Sequence, residues 1–345
     1  MDGRTQFDAL LRSGEPLLAL APMQDVTTMP FWKLMVAYGG ADVYFTEYFR
    51  VHRDSRPEKW ILDAINRNPT GRPVVAQLVG NDIPALVRTA RDLQRLPIAA
   101  VDLNLGCPMP VVYRKGAGGG LLREPGQIDA ILGALRDAVQ IKFTVKTRIG
   151  FDDPAVFDKL LPIFAKHSLD LLVVHGRTVA EKYGGQVHYD FIARAVAAMP
   201  CPVLANGNVD SARKAEEVLK VTGARGVMIG RGAVRNPWLF QQIRQHLRGE
   251  PVFVPRGRDV LAYARALYEA IVTPGVREAT QVHAIKKYLG LLAVGVEPSG
   301  RFMHDICRVT TKAEVFRVCE EFLAHDKPMA LEPFAGARYD TETTR

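Results

Sequence analysis

Eight short apolar runs, each followed by a stretch with helical spacing, constrain the fold of this chain more than any other feature of it. They are LLALAPM (17–23), VYFTEYF (43–49), PVVAQLVG (73–80), AAVDLNLG (99–106), FTVKTRIG (143–150), LDLLVVHG (169–176), CPVLANG (201–207) and GVMIGRG (226–232). Continuous Val, Leu and Ile suit strands covered on both faces, as parallel strands are. Between them, Ile128, Ile131, Leu132, Leu135 and Val139 share one helical face, as do Phe157, Leu160, Leu161 and Phe164, although Pro162 interrupts the second pattern. Asp210 or Ser211 can cap a further helix carrying Ala215, Val218 and Leu219. Eight strand–helix repeats predict a closed (β/α)8 TIM barrel. An open doubly wound sheet is the alternative, but its dinucleotide fingerprint is missing.

Strand signals stop near Gly249. Val260, Ala264, Leu267 and Ile271 form a helical face, then Val282, Ile285, Leu289 and Leu292, then Val315, Phe316, Cys319, Phe322 and Leu323. The chain therefore divides into a barrel over 1–249, a small C-terminal helical domain over 250–330, and a polar, loosely ordered tail over 331–345.

No apolar stretch is long enough to cross a bilayer, and the N-terminus lacks the apolar core of a secretory signal. The four cysteines (Cys107, Cys201, Cys307, Cys319) are too few and scattered for a disulfide framework or a zinc site. A cytoplasmic protein with reduced thiols is expected. The net charge of +8 permits a polyanionic partner but is spread along the chain.

Function in such a barrel sits at the C-terminal ends of the strands. Here the runs end in Met23-Gln24-Asp25, Glu47, Gln77, Asn104 with Cys107, Lys146 with Arg148, His175 with Arg177, Asn206-Gly207-Asn208 and Gly230-Arg231. Apolar strands that all end in hydrogen-bonding groups indicate a site. The loops after the seventh and eighth runs, ANGNVDS and IGRGAVRNP, suit a phosphate: their glycines let backbone N–H groups approach it, and Arg231 adds a charge. The other reading is two ordinary turns. Lys146 could stabilise an anion on a reduced flavin ring, while Gln77 and Asn104 could bond ring edges or substrate. Glu47 is open between substrate contact and salt bridge. Cys107, held between Gly106 and Pro108, can act as a general acid, a nucleophile or a structural thiol. The three other cysteines read as inert buried thiols. The run Lys115-Gly116-Ala117-Gly118-Gly119-Gly120 fits neither the Walker nor the Rossmann template, and reads as a mobile loop beside Cys107. No metal-binding motif is present.

In this order, LAPMQDVT, TEYF, VVAQLVG, DLNLGCP, VKTRIG, VVHGRT, LANGNV and MIGRGAVRNPWLF resemble the tRNA-dihydrouridine synthases, from about Leu17 to Phe240, with a weaker likeness through HAIKKYLGLLAVGVEPSGRFMHDI. The resemblance implies FMN as cofactor, NADPH as reductant and tRNA as partner, with no metal, membrane or protein partner. It implies that Pro22, Met23 and Gln24 line the flavin, that Gln77, Lys146 and His175 contact it, and that Asn206, Gly207, Asn208, Gly230 and Arg231 hold its phosphate. Cys107 is then the acid that protonates C5 of a uracil receiving hydride at C6, and Asn104 and Arg148 touch that uracil. The glycine-rich run after Arg114 departs from the family's well-known subgroups. An FMN barrel reductase of a small pyrimidine or enone is the competing reading; a non-catalytic RNA-binding barrel is a further one.

Overall fold

In the computed structural model of the chain, which describes residues 2–336, all eight apolar runs contribute parallel strands. They are β1 (Leu17–Leu20), β2 (Val43–Phe45), β3 (Phe49–Arg50), β4 (Val74–Val79), β5 (Ala100–Leu105), β6 (Lys142–Arg148), β7 (Leu171–His175), β8 (Val203–Asn206) and β9 (Gly226–Ile229). The second run is split: β2 and β3 both pair with β4, Tyr44 opposite Val74 and Phe49 opposite Leu78. Thr46, Glu47 and Tyr48 lie in the break. β1 pairs with β2 on one side and β9 on the other, so the barrel closes with eight strand positions.

Two compact units make up the chain. The first runs up to Thr27, then covers Ala41–Val209 and Glu217–Ile229, and holds the barrel. Its interior is layered because alternate strand residues point inward. Leu17, Ala19, Val43, Phe45, Val75, Val173 and Met228 fill the lower layers. A helix over Gly3–Arg12, capped by Asp2, packs Phe7, Leu10 and Leu11 against this core. Toward the C-terminal ends the interior turns polar. Gln77 pairs in register with Asp102, Asp102 with Thr144, Asn104 with Lys146, and His175 with Asn206.

The helix Phe157–Lys166 continues through Pro162, contrary to the interruption its sequence suggests. Leu160, Leu161 and Phe164 stay buried on its inner face, and that packing outweighs the one hydrogen bond proline removes.

The second unit comprises Thr28–Gly40, Asp210–Glu216 and the chain from Gly230 onward. Its long helices are Gly257–Ile271, Glu278–Ala293 and Lys312–Leu323, with shorter ones at Met29–Ala37, Leu239–Leu247 and Arg301–Arg308. The tyrosine after the first short helix, Tyr38, meets Trp238 and Tyr263 edge-on with ring centroids 5.1 and 5.4 Å away. The buried Arg235 donates to the carbonyls of Asp210 (2.5 Å) and Leu331 (2.7 Å). Glu332 accepts from Arg213 at 2.9 and 2.8 Å, so the start of the expected loose tail is tied down. Residues 337–345 of that tail lie outside the described residues. Among the described residues no helix is long and apolar enough to cross a membrane. Cys319 is buried and Cys201 half-buried, but Cys307 is exposed, against the sequence reading. Phe302 and Ile306 mark the inner face of its short helix, and the next residue turns about 100° away from that face.

Candidate active site

The polar upper layer of the barrel holds two hydrogen-bonded groups. Asp102, fully buried on β5, accepts from Thr144 Oγ1 at 2.6 Å and from Gln77 Nε2 at 2.7 Å. Gln77 Oε1 in turn accepts from Asn104 Nδ2 at 2.8 Å. Asn104 Oδ1 then accepts from the backbone N–H groups of Gly106 (3.0 Å) and Cys107 (2.9 Å). Across the barrel, Lys146 Nζ donates to Asn206 Oδ1 at 3.1 Å, while Asn206 Nδ2 donates to the Met228 carbonyl at 2.8 Å. Each of these three amides therefore uses its oxygen within the network. An amide has two N–H donors and an ammonium three, so donors outnumber acceptors here.

Cys107 follows β5 and is buried, packed with Tyr48, Val79, Val112 and Ala117. The glycine-rich run beyond it is not a mobile loop: residues 117–122 are buried, and Gly118–Arg123 form a 3-10 turn whose Gly119 N–H donates to the Cys107 carbonyl at 3.2 Å. A Cβ on Gly119 would meet the Cys107 carbonyl oxygen at 2.8 Å and Val179 Cγ2 at 2.5 Å. The glycines thus allow close packing around Cys107, a use that composition alone does not separate from flexibility.

Arg148 is also buried. Its Nε donates to the Gly106 carbonyl at 2.9 Å, and its Nη1 to the carbonyls of Thr178 (2.8 Å) and Lys182 (2.7 Å). It ties the loop after β7 to the residue preceding Cys107. Glu47, in the break between β2 and β3, accepts the backbone N–H of Asp25, whose φ is 58°. That bond holds the segment after β1, where Pro22, Met23 and Gln24 are partly exposed. Gln24 Oε1 is buried there with no hydrogen-bond partner among the described residues.

His175 ends β7 beside Asn206 and is mostly buried. Gly207 has a φ of +126°, and a Cβ there would meet Val187 at 3.0 Å and His175 Nε2 at 3.6 Å. The Gly207 carbonyl accepts from Tyr189 Oη at 2.9 Å, and Asn208 Oδ1 from Arg177 Nη1 at 3.3 Å, so the loop after β8 is anchored on both sides of its turn. Gly230 and Arg231 follow β9 directly and open the second unit, where Arg231 starts the short helix Arg231–Arg235.

Burial sets the electrostatics. It pushes the Cys107 thiol above its ordinary range, against the pull of the Met109 N–H, Tyr48, Arg148 and Lys146, so the sulfur is protonated at neutral pH. Burial, with Arg148 adding to it, brings the Lys146 ammonium down to about 8. Burial raises the Asp102 carboxyl to about 6, opposed by Thr144, Gln77 and Lys146. Together these features describe a barrel mouth that offers hydrogen-bond donors and a cation beside a protonated thiol. Such a surface suits a flat ring system with carbonyl acceptors. No group of three or more His, Cys, Asp or Glu able to hold a metal occurs among the described residues.

Sequence reasoning located Cys107, Asn104, Gln77, Lys146, His175 and Asn206 in one barrel mouth. It missed Asp102, Thr144 and Tyr48. The signal for Asp102 was available: a carboxylate inside an apolar strand requires partners.

The family model described as Dihydrouridine synthase (Dus) matches residues 19–326. The chain is 31% identical over 313 residues to a tRNA-dihydrouridine(16) synthase of Neisseria meningitidis serogroup A, covering 88% of this chain and 94% of that protein. It is 37% identical over 239 residues to tRNA-dihydrouridine synthase B of Vibrio vulnificus, covering 67% of this chain and 71% of that protein. Among solved structures, histamine dehydrogenase from Rhizobium sp. 4-9 superposes with a TM-score of 0.56 at 11% identity, over 93% of this chain and 65% of that one, a likeness of fold.

Proposed function

The chain belongs to the dihydrouridine synthase family, and from that premise we propose that it reduces the C5=C6 bond of a uridine in tRNA, with FMN as bound cofactor and NADPH as reductant. The observation that carries this reading is the donor-lined barrel mouth next to the protonated Cys107. The chemistry of that donor set fits a flavin. N–H groups of Gln77 and Lys146 suit ring carbonyls and a ring nitrogen that gains negative charge, His175 lies beside Asn206, the partner of Lys146, and the unpartnered Gln24 Oε1 suits a ring N–H or a ribityl hydroxyl. Pro22 and Met23 line the same edge. Asn206, Gly207 and Asn208 present the turn expected for a phosphate, and Gly230 and Arg231 join them on the strength of their sequence order.

FMN, when bound, supplies the hydride that reaches C6. Cys107 gives its proton to C5, and the thiolate left behind is stabilised by the Met109 N–H, Tyr48 and the two nearby cations. Asn104 keeps one N–H for the uracil. The three donations described above for Arg148 go to backbone carbonyls, so we assign it to holding Gly106 and Cys107 in place in preference to touching uracil. A base must leave its stack to reach such a site, which is least costly in a tRNA loop. The match spanning nearly all of the Neisseria protein favours position 16 as the target.

Stopped-flow with anaerobically reduced enzyme tests the assignment of Cys107. Cys107→Ala should retain FMN and accept electrons from NADPH at a near-normal rate, while reoxidation by tRNA slows roughly 10²–10⁴-fold. Reoxidation at the wild-type rate would remove Cys107 from the reaction. Mapping dihydrouridine in tRNA from cells with and without the gene tests the substrate and its position.

A further inference from the structure

We infer that Asp102 is a positioning residue that sets the hydrogen-bond polarity of the flavin-facing layer, forcing Gln77 to present N–H rather than carbonyl oxygen to the bound ring. The inference rests on the FMN reading above and deepens it.

A glutamine side chain is nearly symmetrical in shape, and packing alone distinguishes its oxygen from its nitrogen poorly. Here the chemistry at both ends of a relay decides. At the lower end an ionised carboxylate can only accept, and Gln77 lies 2.7 Å from Asp102 Oδ2, so the atom facing it must be the nitrogen. At the upper end two backbone N–H groups can only donate, so the atom of Asn104 facing Gly106 and Cys107 must be its oxygen. The nitrogen of Asn104 then meets the oxygen of Gln77 at 2.8 Å. Both ends agree on one orientation, and each amide keeps a second N–H outside the relay.

The two anchors are unequal. Asn104 is fixed by the backbone and keeps its orientation whatever happens below. Gln77 is fixed by Asp102 from beneath and by one amide from above. Without Asp102, Gln77 loses its only charged partner in this network and can turn its nitrogen elsewhere. Thr144, donating to the other carboxylate oxygen at 2.6 Å, keeps Asp102 in the plane this requires. An asparagine at 102 could still accept from Gln77 through Oδ1 while its nitrogen turns to the Thr144 oxygen. An alanine could not.

The test is carbon-13 NMR of the full-length protein loaded with FMN labelled at the two ring carbonyls, whose shifts report hydrogen bonds donated to them. Bound to wild type, at least one carbonyl should resonate well downfield of free FMN. Asp102→Ala should lose a large part of that displacement and bind FMN roughly ten-fold more weakly, the loss of about one charge-assisted hydrogen bond. Asp102→Asn should keep the displacement. An Asp102→Ala protein with wild-type carbonyl shifts would overturn the inference. If Asp102→Ala does not fold, Asp102→Asn decides: loss of the displacement in that folded, FMN-loaded protein would show that charge, and not amide orientation, is what Asp102 supplies. A wild-type protein that takes up no FMN would overturn the cofactor reading, and this inference with it. Wild-type carbonyls unshifted from free FMN would overturn the inference alone.

Discussion

Lys146 occupies a strand between Val145 and Thr147 and points into the barrel, where burial and the neighbouring Arg148 hold its ammonium at about 8. The sign of the consequence follows from linkage. In the unfolded chain the group titrates near 10.5, so between pH 8 and 10.5 the unfolded state binds more protons, and this group makes stability rise with pH. Lys146→Met should remove that rise. In urea titrations of the flavin-free protein, the variant should exceed wild type at pH 7.5 by on the order of 2 kcal/mol more than it does at pH 10. An equal difference at both pH values would show that the ammonium is solvated in the apoprotein. Lys146 was legible in the sequence because, with Arg148 two residues on, it makes a basic pair in the second half of a run that reads as a strand. Asp102 and Thr144 did not stand out, since they lie inside their runs and their role depends on pairing across β4, β5 and β6 that only strand register identifies.

All eight runs became strands, because short β-branched and apolar stretches, each ahead of a helical pattern, leave few other structures open to them. The break between β2 and β3 and the 3-10 turn at Gly118–Arg123 were not legible, as both arise from side-chain contacts distant in sequence. The turn also separates two kinds of glycine. Gly119 has no room for a methyl group, whereas a Cβ on Gly126, at the start of the helix Pro125–Ala138, meets nothing within 4 Å. Gly119→Ala should destabilise the protein by about 1–3 kcal/mol through overpacking and, by pushing on Cys107, slow reoxidation of the flavin by tRNA while reduction by NADPH is spared. Gly126→Ala should leave both half-reactions unchanged and be neutral or stabilising by up to about 1 kcal/mol. Thermal melts and the two half-reactions measured side by side separate these outcomes; equal effects would mean that the turn has slack around Cys107.

At the scale of the whole chain, the sequence reading drew its boundary near Gly249, but the helical unit takes in the described residues from Gly230 onward together with Thr28–Gly40 and Asp210–Glu216. Its recruitment of an early segment was not legible, because the ring contacts of Tyr38 with Trp238 and Tyr263 span about two hundred residues of sequence. A truncation at Gly249 would therefore cut through this unit; we propose that its cations help to hold tRNA, a role better tested by charge reversal in the full chain. The cations differ in what they have to offer. Arg301 is engaged with Asp305 and Glu321, whereas the ammonium of Lys286 donates to the carbonyl of Cys307, and Arg308 donates to that of His304 with the Asp305 carboxylate near enough to feel its charge. The carbonyl contact leaves the Lys286 charge uncompensated, and Arg308, without an ion pair within 4 Å among the described residues, keeps more of its charge than Arg301; such charge is what releases counterions from RNA. Lys286→Glu combined with Arg308→Glu should therefore weaken tRNA binding and flatten its salt dependence, the logarithmic slope falling by about two if each side chain neutralises one phosphate. Arg301→Glu should have a smaller effect on binding, since its charge is already partly cancelled. FMN content should not change in any of the three. An unchanged salt slope in the double variant would place the RNA-binding surface elsewhere and leave the helical unit with a purely structural part in this enzyme.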